Sequence, residues 1–206
     1  MPGSAEEARE RERAALLAAY SSPALFSRHV LQRPLRPYQR PVAEAIIDSV
    51  LHARGLTIAV MMARQSGKNE TAAQVEAYLL QRFARRGGSI VKAAPTFQPQ
   101  ALNSLARLRG VWDGSRLPPL EAERGYILRC GQAQITFLSA APAANVVGAT
   151  ASILLEADEA QDIDIATWDK AFRPMGASTN VTTVLWGTAW TAHTLLARTI
   201  RGLREL

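Results

Sequence analysis

The chain has 206 residues, 48% hydrophobic and 20% charged, a length and balance that allow a buried core and exclude a disordered, collagen-like or disulfide-stapled protein. Lysine plus arginine is 24 against 18 for aspartate plus glutamate, and the net charge of +6 favours a polyanionic partner such as nucleic acid or nucleotide. The single cysteine, Cys130, has no internal disulfide partner, and no apolar run approaches the ~20 residues of a membrane helix, so a cytoplasmic protein without a membrane role is expected.

In chain order, residues 4–20 read as an exposed helix. Ser4 and Glu7 form a capping box, Glu7 and Arg11 an i,i+4 pair, and Leu16, Leu17 and Tyr20 an apolar side. The Ser21-Ser22-Pro23 break starts a second helix, to about residue 31. A proline-punctuated connector, QRPLRPYQRPV, leads to a third helix over about 42–53, closed by Gly55. The pattern then changes. Strands are predicted over 57–62, 89–94, 153–157 and 182–186, and helices over 69–84, 98–108, 165–172 and about 192–203. A turn-rich insertion, GVWDGSRLPPLEAERG, precedes a hairpin of 126–130 with 134–138 across Gly131-Gln132, and 139–151 is a small-residue loop. Strands alternating with helices predict an α/β fold, a mostly parallel sheet covered on both faces. The expected division is a helical N-terminal extension, 1–35, and an α/β domain, 36–206.

Two stretches carry chemistry. In LTIAVMMARQSGKNETAAQ a strand runs into Ala63-Arg64-Gln65-Ser66-Gly67-Lys68 and a helix follows. Glycine lets the backbone curl so that its N–H groups face one phosphate, the helix N-terminus adds its dipole, and Lys68 adds a point charge. The match to G-x-x-x-x-G-K-[ST] is incomplete: Met62 stands at the first glycine and Asn69 at the Mg2+-binding hydroxyl. Without further support, a strand-to-helix turn with a solvated lysine is the competing reading. In ASILLEADEAQ an apolar strand ends in Asp158-Glu159, where active sites of open α/β sheets lie. The pair serves equally as an acidic helix start or as a metal ligand followed by a base that activates water.

Together these residues resemble the ATPase domain of the large terminase subunit of tailed bacteriophages, the motor that packages DNA. In order, Arg36-Pro37-Tyr38-Gln39 resembles the adenine-contacting motif, and Ala63-Arg64-Gln65-Ser66-Gly67-Lys68-Asn69 the family's variant phosphate loop. Ala93-Ala94-Pro95-Thr96 with Gln98, Gln100 and Ala101 resembles the segment after the second strand. Asp158-Glu159-Ala160-Gln161 resembles the acidic pair and Gly187-Thr188-Ala189 the coupling motif, so the matches span 36–189.

The resemblance implies a P-loop NTPase of the RecA/ASCE type that hydrolyses ATP with Mg2+. By carry-over, Lys68 with Arg64, Gln65, Ser66, Gly67, Asn69 and Glu70 holds the phosphates, and Tyr38 and Gln39 the base. Asn69 and Asp158 hold Mg2+, Glu159 activates water, Arg64 stabilises developing charge, and Gly187-Thr188 senses the γ-phosphate. Implied partners are double-stranded DNA, a portal, a small terminase subunit and further copies in a ring, in the host cytoplasm, with a monomer as the alternative in isolation. Two departures stand out. The place of an intersubunit arginine reads Val146-Val147-Gly148, leaving Arg107, Arg109, Arg124 and Arg129 as substitutes or solvated arginines, and no late cluster of aspartates suggests a nuclease domain. A helicase-like ATPase, or a non-catalytic nucleotide- or DNA-binding remnant, is the alternative function. Arg82, Arg85 and Arg86 read as compensation of a helix dipole, and His29, His52 and His193 as structural.

Overall fold

The computed structural model describes residues 3–142, 146 and 148–205. Val147 lies outside them, as do the side chains of Ser4, Leu16 and Leu17, on which the predicted cap and apolar side of the first helix rest.

Three helices lead in: α1 (Gly3–Ser21), α2 (Pro23–His29) and α3 (Arg40–Leu51). Strand β1 (Thr57–Met61), helix α4 (Lys68–Phe83), strand β2 (Gly88–Ala94) and helix α5 (Leu102–Asp113) follow. Next come β3 (Glu121–Glu123), β4 (Ile127–Cys130), β5 (Ala133–Ser139), β6 (Leu154–Ala157), the short turn α6 (Ile165–Thr167), β7 (Thr182–Gly187) and α7 (Leu195–Arg204). Among the described residues the strands form one seven-stranded sheet in the order β1-β7-β6-β2-β5-β4-β3. The first five in that order run parallel, and β4 and β3 add antiparallel. The fold is therefore mixed α/β with a mostly parallel sheet between helices, as expected from the alternating pattern.

The side-chain period of two sorts each central strand between two cores. Ile90, Leu154 and Val184 face one layer with Phe26, Ile46, Leu79 and Trp112. Their neighbours Val91, Leu155 and Leu185 face the other, with Trp168, Phe172 and Leu195. Fully buried side chains of this size contribute roughly 1.5–3 kcal/mol each. On the first face Phe26 meets Tyr78 edge to face at 5.1 Å, and Tyr78 Oη donates to Tyr20 O at 2.9 Å, tying the N-terminal helices to α4. On the second, Arg198 of α7 donates to both carboxylate oxygens of Asp169, at 2.6 and 2.8 Å. These bonds hold the Asp169 carboxyl below its ordinary range.

Parallel order brings the carboxyl ends of β1, β7, β6 and β2 to one edge. Met61 pairs with Gly187, Ala157 with Leu185, and Ala93 with Ala157. The predicted phosphate loop, acidic pair and Gly187-Thr188 all leave the sheet there, whereas Tyr38 and Gln39 precede α3.

Some expectations shift. The helix predicted over 98–108 begins at Leu102 instead, because Pro99 forces Gln98 into an extended conformation (φ −113°, ψ 127°) within a wide turn, Phe97–Ala101. It then continues to Asp113 because Val111 and Trp112 are buried on its inner face. The insertion is not all turn: Glu121–Glu123 pairs with β4, and Arg129 Nε donates to Glu123 Oε2 at 2.8 Å. The last helix starts at Leu195, where Thr194 Oγ1 accepts from Ala197 N.

Candidate active site

The segment between β1 and α4 folds back through two left-handed residues, Gln65 (φ 59°) and Gly67 (φ 85°). A Cβ at Gly67 would stand 2.5 Å from Gln39 Nε2, so only glycine fits both the backbone and the space. Ser66 Oγ donates to Ala63 O at 2.6 Å, and Thr71 N and Oγ1 donate to Gly67 O at 2.9 and 3.0 Å, closing the turn into the helix. Helix α4 thus opens with its first backbone N–H groups and Lys68 directed at the end of the sheet.

Tyr38 and Gln39 brace this loop from behind. Tyr38 Oη donates to Ser66 O at 2.7 Å. Gln39 Nε2 donates to Gly67 O and Ser66 O at 3.3 and 3.4 Å, and its Oε1 accepts from Arg36 N at 2.9 Å. The amide of Gln39 is buried and committed to the loop's own backbone, whereas the Tyr38 ring is 47% exposed and keeps a free face.

In front of the loop lies a cleft of 620 Å³. Of the predicted residues it gathers Arg64, Gln65, Gly67, Lys68, Asn69, Glu70, Asp158, Glu159 and Thr188; Tyr38, Gln39, Ser66 and Gly187 stand outside its lining. Lys68 is 7% exposed, and its Nζ lies 2.7 Å from Glu159 Oε1. The contact is an ion pair without the alignment of a hydrogen bond, so the ammonium keeps donors for an anionic ligand.

The carboxylates are held from behind. Asp158 is buried; its Oδ2 accepts from Ser104 Oγ at 2.7 Å and its Oδ1 from Glu159 N at 3.0 Å. Glu159 takes a left-handed conformation (φ 48°), a rare state for a non-glycine residue that turns its side chain out of the strand line toward Lys68. Its Oε2 accepts from Gln161 Nε2 at 2.7 Å, and Gln161 Oε1 accepts from Thr188 N at 3.1 Å. Asn69 carbonyl oxygen and the Asp158 carboxylate are hard oxygen donors in one cleft. Mg2+ takes such donors one or two at a time, with phosphates and water completing its shell. The described residues contain no cluster of three or more His, Cys, Asp or Glu that would point to another metal.

Helix α5 forms the facing wall. Asn103 and Arg107, four apart on α5, line the cleft together with Gln100 of the preceding turn. Arg107 is mid-helix, since α5 runs to Asp113, and with Arg33 it flanks Glu70 at 3.6 and 3.5 Å. Its side chain is 54% exposed, a solvated arginine within the helix and not at its end. Arg64 stands at the rim, its guanidinium 5.7 Å from the ring of Trp190, which is 70% exposed. Arg82, Arg85 and Arg86 line a separate hollow with His52 and Ser152, and Arg124 and Arg129 pair with Glu123. Ser104 and Gln161 escape sequence reasoning. Nothing local marks Ser104, because its role depends on α5 bringing it to the residue that follows β6, whereas the position of Gln161 two residues after Glu159 is a usable signal.

Beneath the cleft, inside the first core layer, sits a second charged group. Lys92 Nζ lies 2.6 Å from Glu76 Oε1 of α4, and Trp186 Nε1 donates to Glu156 Oε1 at 2.8 Å. Burial alone would lower Lys92, but the carboxylates of Glu76, Glu156 and Asp158 outweigh it and hold the ammonium above its usual range. Burial, then the Glu76 charge, pushes Glu156 well up.

No family model and no curated protein matches this chain in sequence. Its fold is that of solved phage large terminases. It superposes on the HK97 bacteriophage large terminase with a TM-score of 0.68 at 19% identity, over 84% of this chain and 38% of that one. For the large terminase of the thermophilic bacteriophage D6E the values are 0.65 and 12%, over 84% and 44%. For the large terminase ATPase domain of Thermus phage P74-26, in a point-mutant form, they are 0.59 and 20%, over 78% and 68%. The chain therefore shares the mixed α/β fold of these proteins, a mostly parallel sheet between helices. The chain spans less than half the length of the HK97 and D6E proteins.

Proposed function

We propose that this chain is the ATP-hydrolysing motor domain of a viral DNA-packaging terminase, coupling hydrolysis to translocation of double-stranded DNA into a procapsid. Residues 36–206 are the motor and 1–35 a helical extension to it. The observation that carries the reading is the opposition, in one cleft, of Lys68 on a left-handed loop and the Asp158-Glu159 pair at a strand end, with Lys68 and Glu159 2.7 Å apart.

Lys68 and the N–H groups of the loop bind the phosphates of ATP, and Arg64 leaves Trp190 to meet the charge that develops on the transferred group. Asn69 and Asp158 hold Mg2+, which when bound neutralises phosphate charge. Ser104 fixes the rotamer of Asp158. Once Lys68 turns to a phosphate, Glu159 Oε1 is free to orient and deprotonate the attacking water. Gly187-Thr188 follow the γ-phosphate, and the exposed face of Tyr38 meets the base. A ring of copies, a portal and a small terminase subunit are the assembly in which such a motor works on DNA, and its intersubunit arginine is unassigned.

The test is ATP turnover by the purified chain with and without Mg2+ and double-stranded DNA. Mg2+-dependent turnover in the wild type, with ATP affinity at least about tenfold weaker in Lys68→Ala, is the expected result. Unchanged binding in Lys68→Ala would overturn the phosphate-loop assignment, and no turnover at high protein concentration would leave a nucleotide- or DNA-binding remnant.

A further inference from the structure

Gln161 occupies a position that the proposed mechanism does not use. Its Nε2 donates to Glu159 Oε2 at 2.7 Å and to Asp162 Oδ2 at 3.0 Å, while Oε1 accepts from Thr188 N at 3.1 Å. These bonds fix which way the carboxamide points. Turned over, its oxygen would face two carboxylates and its NH2 would face a backbone N–H. The close approach depends on the glycine at 187, since a Cβ there would lie 2.6 Å from Gln161 Oε1. One residue away the main chain makes a fixed tie between the same two segments, Ala160 N donating to Trp186 O at 2.8 Å. The Gln161 bridge is the side-chain counterpart of that tie, and rotamers can release it where backbone cannot.

Glu159 therefore faces two partners at once: Oε1 meets Lys68 and Oε2 meets Gln161. A phosphate on Lys68 competes for the charge that holds Oε1. When the carboxylate turns, its other oxygen either pulls the Gln161 amide or loses it, and the carbonyl end of that amide is bonded to the first N–H beyond Gly187.

We infer that Gln161 is a positioning residue that holds Glu159 in its ion pair with Lys68 and carries the turning of that carboxylate to the Thr188 amide. The inference rests on the reading of Lys68 as a phosphate ligand. Two substitutions separate the arms of the bridge. Gln161→Glu keeps an acceptor for Thr188 and loses the donor to Glu159; Gln161→Ala loses both.

The experiment follows hydrogen exchange at the Thr188 amide in the full chain, with and without a non-hydrolysable ATP analogue and Mg2+, alongside steady-state ATP turnover. In the wild type, analogue binding changes Thr188 exchange by about tenfold or more. In Gln161→Ala that amide exchanges fast in both conditions. In Gln161→Glu it stays protected without the analogue and no longer responds to it. Both variants keep analogue affinity within about threefold while kcat falls about ten- to a hundredfold, the cost of one hydrogen bond to a charged group. A residue that only shaped the turn would leave the wild-type Thr188 response absent and the kcat-against-affinity split unseen. Analogue binding with no Thr188 response, or wild-type kcat in both variants, overturns this inference alone. Failure of the wild type to bind the analogue overturns the phosphate-site reading and the inference with it. Should both variants unfold, the wild-type Thr188 response decides.

Discussion

Two lysine–glutamate pairs sit close to each other on the same face of this sheet and do opposite things. Lys68 and Glu159 meet at 2.7 Å on two loops that face a cleft, and Glu159 is 28% exposed. Lys92 and Glu76 meet at 2.6 Å between a central strand and α4, both essentially without solvent contact. The first pair has another partner waiting on each side and is built from residues in or beside left-handed backbone. The second is enclosed, and Glu156 and Trp186 complete its surroundings. A charge pair at a strand's end can trade partners; the same pair within a strand is fixed by packing on every side.

Breaking the enclosed pair has the largest effect expected. Lys92→Ala leaves Glu76 charged and unpartnered in the core, a loss of about 3–5 kcal/mol in folding stability. A urea midpoint close to that of the wild type would show that the pair is not a closed element of the core. Glu159→Gln does the reverse. Hydrolysis should fall about 10²–10⁴-fold, as for loss of a general base, while folding stability from urea titration moves by less than about 1 kcal/mol and ATP still binds. Retained turnover in that variant would remove the role proposed for Glu159. Ser104→Ala lies between the two pairs, since it frees Asp158 Oδ2 without touching either lysine. It should lower kcat about tenfold and cost about 1 kcal/mol of stability; an unchanged kcat would make Ser104 a packing residue only.

A substitution at Glu156 sharpens the electrostatics. In the folded protein burial and the neighbouring Glu76 charge hold Glu156 well above the ordinary range, about 4.3, in which it titrates when unfolded. The folded state thus binds more protons above that pH, and stability falls as pH rises through the window up to the raised value. Glu156→Gln keeps an acceptor for Trp186 and removes the titration. It should flatten the fall of stability with pH that begins above about 4.3, and below that pH it should leave stability within about 1 kcal/mol of the wild type. An equal slope in both proteins would assign the titration elsewhere. Lys92, held above its usual range, contributes fully below about 10.4 and adds no slope in that window.

Much of this was legible along the chain. Apolar runs such as Ile153-Leu154-Leu155 predict buried strands because both faces of a parallel sheet are covered. Gly67 before Lys68 announces a loop that needs left-handed backbone. Pro99 also carried a readable signal, since it bars the residue before it from the helix. The short strand Glu121–Glu123 carried none, being too brief for a period and specified by its pairing with β4 and the bond from Arg129 to Glu123.

What the sequence determined by itself is local in origin: the order of strands and helices, the loop that must curl ahead of Lys68, and the acidic pair that ends a strand. The tertiary structure alone decided what meets across the chain. Strand order β1-β7-β6-β2 brings residue 68 against 159, 104 against 158 and 161 against 188, separations that no period or motif encodes. It also decided that of Lys68 and Lys92, one faces a cleft and the other is buried in a closed network. Burial and partnership are properties of packing, and packing is fixed only when the two faces of the sheet find their helices.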